Sequence, residues 1–217
     1  MSEYLEINLD DIFDNSGYIN FVLEMDDEFE VPRENFSNIF ICNDAIKEVK
    51  LTRREKTPIK IGDFFLFGCR NLETVDLSQV ENIVEIGMAF LANCLKLRTI
   101  KMAQLTNVTK IGDGFLNWCR SLESVDLSSL SNITQIGNNF LQSCVSLKTI
   151  DLSCFFKITM IGDYFLFNCN KLEKIDFAPL SNVIKIGEYF MMHCNKLECV
   201  IGESNIIKQK LAESRAI

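Results

Sequence analysis

The side chains able to carry chemistry are few, and their spacing is unusual: one histidine, nine cysteines, and aspartates that recur at a fixed interval. Catalysis needs a nucleophile beside a base, paired acids with shifted pKa values, or a metal with an open position. His193 has only Cys194 and Cys199 near it in the chain, no Cys-x-x-Cys knuckle occurs, and no glycine-rich phosphate loop is present. A zinc site lacks ligands at the required spacing. No catalytic, cofactor-binding or metal-binding residue is expected, and the chain is expected not to be an enzyme. An odd number of cysteines argues against a disulfide framework. Six of them, Cys69, Cys94, Cys119, Cys144, Cys169 and Cys194, stand 25 residues apart. That interval explains them better.

The same interval organises most of the chain. Ile-Gly recurs at Ile61-Gly62, Ile86-Gly87, Ile111-Gly112, Ile136-Gly137, Ile161-Gly162 and Ile186-Gly187. Four places after each Ile stands Phe65, Phe90, Phe115, Phe140, Phe165 or Phe190, followed by Leu, or Met191 in the last copy. The Cys comes next, and then Leu72, Leu97, Leu122, Leu147, Leu172 or Leu197.

Within a unit the apolar period changes. Phe115, Leu116, Cys119 and Leu122 fall at i, i+1, i+4 and i+7, the stripe of a helix. Val125 and Leu127 then alternate with Ser124, Asp126 and Ser128, as in a strand. Ser131-Asn132-Ile133 turns the chain back. Such a coil cannot bury its own apolar side, so it must stack on its neighbours. The expected fold is an α/β solenoid of about six to seven 25-residue coils, each a short strand plus a short helix, with terminal caps. The Phe and Cys columns become spines of its core, the thiol packing as a small hydrophobe. Each Gly meets a steric limit, either a positive φ or a close approach between coils.

The unit Ile-Gly-x-x-Phe-Leu-x-x-Cys-x-x-Leu-x-x-Val/Ile-x-Leu resembles the BspA-like, or Treponema-type, leucine-rich repeat. Leu122–Ser128 is similar to its strand and Ile136–Cys144 to its return helix, and six copies span about residues 60 to 202. Two features depart from the wider pattern. Val80, Leu105, Leu130, Phe155 and Leu180 stand where the common leucine-rich repeat has an Asn ladder. Ser78, Ala103, Ser128, Ser153 and Ala178 stand where the BspA-like form usually has Pro. The resemblance implies a right-handed leucine-rich-repeat superhelix. It also implies a protein that binds other proteins, since the family includes surface proteins that hold host or matrix proteins, alongside many members in microbial eukaryotes.

Cys42-x-x-x-Ile46-x-x-Val49-x-Leu51 reads as a degenerate copy, placing the solenoid at 39–202, with that copy near 39–60 and repeats beginning near 61, 86, 111, 136, 161 and 186. Residues 1–38 are expected to form an N-terminal cap, a β-hairpin in which Ile19–Glu24 and Glu28–Val31 flank a turn, or else a short binding segment. Ile206, Ile207 and Leu211 share one face of a C-terminal cap helix within 203–217.

A net charge of −8 argues against nucleic acid and against an anionic membrane as partners, since both require a basic footprint. No apolar stretch approaches the roughly 18 residues needed to cross a bilayer, and Met1–Glu6 carries no signal-peptide pattern. The expected location is intracellular, in the cytoplasm.

Two surfaces are candidates for contact. On the concave side Lys50, Asp76, Lys101, Asp126, Asp151 and Asp176 form one column. Its three successive acids, about 5 Å apart, repel by roughly 0.8 kcal/mol per neighbour in water. A basic partner or a cation would relieve them, or they are simply solvated. Beside them Glu73, Arg98, Glu123, Lys148 and Glu173 alternate in sign, which reads as salt bridges between coils. On the other side Tyr164, Phe167, Tyr189 and Met192 gather in the last two copies, where the middle copies carry Ala89, Ala92, Gly114, Asn117, Asn139 and Gln142. Phe64 and Phe67 occupy the same places in the first copy. The cluster is either a contact patch or packing against a cap. The leading expectation is a scaffolding or protein-interaction module for a protein partner. The alternatives are a building block that self-associates, and a surface adhesin if a signal sequence has been removed.

Overall fold

The computed structural model of the chain describes residues 4–8, 44, 46–52, 58–102 and 105–215. Its strands run in chain order as β1 (Tyr4–Asn8), β2 (Glu48–Thr52), β3 (Ile59–Ile61), β4 (Thr74–Gln79), β5 (Ile83–Ile86) and β6 (Thr99–Lys101). They continue as β7 (Lys110–Ile111), β8 (Gln135–Ile136), β9 (Met160–Ile161), β10 (Lys174–Asp176), β11 (Lys185–Ile186) and β12 (Cys199–Ile201). The helix α1 (Asn205–Arg215) follows them.

The strands are short because each forms only one side of a coil. Alternating apolar residues build the first side, where β1, β2, β4 and β6 neighbour one another in parallel, and β10 pairs with β12 further along. Val49 lies opposite Val75, and Val75 opposite Ile100, so each apolar column continues from coil to coil. The Ile before each Gly builds the second side, in the parallel sets β3-β5-β7 and β8-β9-β11. The result is a β-solenoid of about six turns. β1 joins the first sheet with Leu5 opposite Val49 and Ile7 opposite Leu51. Residues 19–31, read from sequence as a hairpin, lie outside the described residues.

The third side of each coil corrects the expectation of a short helix per coil. Residues 63–72 form consecutive turns, and alternate residues take the left-handed conformation: Phe64, Leu66 and Gly68 have φ of 58°, 55° and 72°. Tyr164, Leu166 and Asn168 repeat this at 59°, 51° and 60°. An α-helix needs an unbroken right-handed run whose N–H groups bond four residues back. Here they bond the neighbouring coil instead. Phe64 N donates to Met88 O (2.7 Å), Gly68 N to Ala92 O (2.8 Å), and Leu91 N to Phe65 O (2.9 Å). A left-handed residue other than Gly costs roughly 1–2 kcal/mol, which these ladder bonds and the buried Phe and Leu side chains offset. α1 is the only α-helix among the described residues.

The core is built from repeated columns. Phe65, Phe90, Phe115, Phe140, Phe165 and Phe190 form a continuous offset stack, with neighbouring ring centroids 5.4–5.7 Å apart and planes within 12°. Beside it Cys69, Cys94, Cys119, Cys144 and Cys169 are buried as thiols. Gly87, Gly112, Gly137, Gly162 and Gly187 of the Ile-Gly pairs are there for close approach. A Cβ on Gly162 would lie 2.7 Å from both the Gly137 carbonyl carbon and the Asn138 nitrogen. α1 lies against β11, burying Ile207 and Leu211, and its Ser214 hydroxyl donates to the Phe190 carbonyl.

Candidate interaction surfaces

The aspartates of the expected column bond their own backbone: Asp76 lies within β4, Asp176 ends β10, and Asp126 and Asp151 lie outside the strands. One carboxylate oxygen of each accepts the backbone N–H two residues on: Ser78 to Asp76 (2.9 Å), Ser128 to Asp126 (2.9 Å), Ser153 to Asp151 (2.8 Å) and Ala178 to Asp176 (2.8 Å). These are Asx-type turns, in which the side chain replaces a backbone acceptor. Lys101 also pairs with Asp76 at 2.9 Å. Burial works against the charged form of Asp76, but bonds from Ser78 and Lys101 outweigh it and hold the carboxyl down at about 2. The Ser128 hydroxyl and N–H keep Asp126 below the usual range. Asp126, Asp151 and Asp176 are exposed. In the flanking column Lys148 meets Glu123 at 2.6 Å.

The aromatic residues come together. Tyr164 and Tyr189 stack at 4.7 Å with planes 14° apart, and Phe167 meets them edge-on at 5.5 and 6.5 Å. His193 packs edge-on against Phe167 at 5.3 Å. Met192 is half-buried in the same stretch, and Tyr189 is 45% exposed. Phe64 and Phe67 form a separate pair at the other end of the solenoid.

The backbone makes this placement informative. Phe64, Ala89, Gly114, Asn139, Tyr164 and Tyr189 share one left-handed position, with φ between 54° and 73°. Gly and Asn adopt it at least cost. The tyrosines therefore satisfy no local conformational need.

Matching coils, a shared Phe-Cys core and parallel strands leave the family to be decided by comparison. A model of the BspA type leucine rich repeat region, with six copies, matches residues 34–158 and 104–211. The chain belongs to this family.

A solved neighbour is the leucine-rich repeat protein of T. pallidum, 19% identical, with a TM-score of 0.51 over 77% of this chain and 82% of that one. A leucine-rich repeat protein from Bacteroides ovatus is 17% identical, with a TM-score of 0.46 over 75% of this chain and 57% of that one. At this identity the T. pallidum structure supports the fold alone. A search of curated proteins finds no match.

In this BspA-type solenoid the common Asn ladder is replaced by another, which sequence reasoning missed. Asp63 accepts Met88 N (2.7 Å), Asp113 accepts Asn138 N (2.9 Å), Asn138 accepts Asp163 N, and Asp163 accepts Glu188 N (both 2.8 Å). Its signal was available: an acid or amide directly after Ile-Gly in most copies. A second polar ladder runs along the Ser-Asn-Ile turns, where Asn107 donates to Asn82 (2.8 Å) and Lys157 to Asn132 (2.7 Å). On the second sheet Glu85 holds Lys60 at 2.8 Å and Lys110 at 2.9 Å. Among the described residues no three of His, Cys, Asp and Glu gather as metal ligands. No described helix is long and apolar enough to cross a membrane.

Proposed function

We propose that the chain is a non-enzymatic protein-interaction module that takes a protein partner on the aromatic patch of Tyr164, Phe167, Tyr189 and Met192, with His193 at its edge. The observation that carries this reading is the Tyr164–Tyr189 stack, with Tyr164 half-buried and Tyr189 45% exposed, on strained left-handed backbone. Stored strain that serves no local purpose is a pointer to function, and exposed aromatics are the residues that anchor interfaces. The concave row of Asp76, Lys101, Asp126, Asp151 and Asp176 is the second surface, favoured less because one oxygen of each aspartate already closes a turn. The overall negative charge disfavours nucleic acid and anionic membranes. A non-catalytic reading agrees with buried thiols whose pKa values are driven up by desolvation, since the thiolate is the nucleophile.

Affinity purification from the native cell tests the reading with two double variants. Tyr164→Ala with Tyr189→Ala should lose the partner while circular dichroism stays unchanged. Asp126→Lys with Asp151→Lys should keep it. The reverse pattern moves the site to the concave face, and retention by both discards both surfaces. Light scattering on the pure chain distinguishes a second copy of itself as the partner.

A further inference from the structure

The exposed Phe, Trp and Tyr side chains among the described residues are Trp118 at 38%, Phe156 at 49% and Tyr189 at 45%. The chain covers two of them with its own cations. The Arg120 guanidinium lies 4.7 Å from the centre of the Trp118 ring, and Lys157 Nζ lies 5.7 Å from that of Phe156. No described cation lies over Tyr189. One face of Tyr189 is stacked on Tyr164, and the ring stays 45% exposed although α1 packs on the same end of the solenoid, with Ser214 bonded to the neighbouring Phe190 carbonyl.

We propose that the solvent-exposed part of the Tyr189 ring takes an arginine side chain of the protein partner, stacked on the phenol with the Glu188 carboxylate beside it. The proposal rests on the interaction reading above and names the chemistry of its partner. An aromatic face carries the negative end of the ring quadrupole and attracts a cation held above it. A guanidinium can lie flat on the ring and still direct its in-plane N–H groups at a carboxylate, which a lysine ammonium cannot do. Glu188 precedes Tyr189 in the chain and its side chain is 74% exposed, even with Lys210 3.5 Å from its Oε1. Asp163 precedes Tyr164 in the same way. The charge of −8 draws a basic partner segment to the molecule, and the ring then selects arginine within it.

The test uses two labelled synthetic peptides of the same Gly/Ser spacing, one bearing arginine and the other lysine. Each is titrated by fluorescence anisotropy into the full chain and into Tyr189→Leu, Tyr189→Phe and Glu188→Gln, all checked for fold by circular dichroism. The arginine peptide should bind the full chain several-fold more tightly than the lysine peptide. Tyr189→Leu should weaken arginine binding by about fivefold or more, Tyr189→Phe should preserve it, and Glu188→Gln should reduce it. Absent arginine binding, equal affinity for the two peptides, or a preference that survives Tyr189→Leu overturns the proposal. A native partner that is lost with Tyr164→Ala and Tyr189→Ala but is not displaced by the arginine peptide also overturns it, and leaves the interaction reading standing. A partner retained by that double variant removes the reading itself.

Discussion

The Sγ of Cys119 lies 3.1 Å from the carbonyl oxygen of Leu91, one coil earlier, and donates its hydrogen to it. The same bond joins Cys94 to Leu66, Cys144 to Leu116, Cys169 to Leu141 and Cys194 to Leu166, at 3.1–3.2 Å. Each accepting Leu is left-handed. Its carbonyl is buried where a helix would have supplied an N–H; instead it takes this thiol and a long bond of 3.4 Å from the Cys three residues on, as Leu66 does from Cys69. A thiol is small enough for the column and still has a hydrogen to give.

The column should therefore be inert while folded. Burial drives the Cys119 and Cys169 thiols well above their ordinary range and pushes Cys144 up to about 12. At mildly alkaline pH, a maleimide should leave these three unmodified in the native protein and label them fully in denaturant. Peptide mass mapping reads the result. Rapid native labelling at Cys119 would mean that the column is not packed as described.

The Phe stack makes a second prediction. Phe115 is fully buried between Phe90 and Phe140, at 5.5 Å from each. Phe115→Ala should lower stability by about 3–5 kcal/mol, as for other buried aromatic truncations, measured by urea denaturation. Among the described rings Phe65 stacks on Phe90 alone, so Phe65→Ala should cost less. Equal losses would show that the rings act singly and not as a stack.

The columns of this core were legible because coils in register place identical residues against one another. Six Phe at one interval have little choice but to touch. The helix expectation failed for a specific reason. Phe115, Leu116, Cys119 and Leu122 all point inward, and either a helical stripe or a run of alternating left-handed turns achieves that. The deciding signal lay in residues that looked like variation: Gly68, Asn93, Gly114, Asn139 and Asn168 occupy left-handed positions, where those residue types cost least. The pairing of β1 with β2 could not be read, because residues 4–8 and 48–52 do not obey the 25-residue interval. The bonds of Asp76, Asp126, Asp151 and Asp176 to the backbone two residues on could not be read, because they depend on backbone direction, which a single sequence does not display.

The Ile-Gly pairs yield a third prediction. A Cβ on Gly162 would meet the Asn138 Oδ1 at 2.6 Å and two backbone atoms at 2.7 Å. Backbone cannot swing aside as a side chain does, so Gly162→Ala must push two coils apart. It should cost at least about 1–3 kcal/mol and broaden the urea transition, because stacked repeats fold through their interfaces. Gly114→Ala is the comparison. There the nearest backbone atom stands 3.4 Å away and the difficulty is a φ of +73°, a position Ala89 already holds one coil earlier. Its loss should be the smaller of the two.

Asp76 gives the pH dependence. Its carboxyl is held at about 2 against an ordinary 3.8. A carboxyl held down by folding stabilises the fold above its ordinary value, and that contribution disappears as pH falls through the folded value. The window is therefore about pH 4 down to about 2. Asp76→Asn isolates the charge, since an amide oxygen can still accept the Ser78 N–H while losing the pair with Lys101. The variant should be less stable than wild type at neutral pH, and the gap should close across that window when denaturation midpoints are followed with pH. Lys101→Met should raise the Asp76 pKa and move the acid limb upward, and an NMR titration of the carboxyl would read the shift. A gap that stays constant with pH would place the effect of Asp76 in its turn geometry and remove the charge from the account.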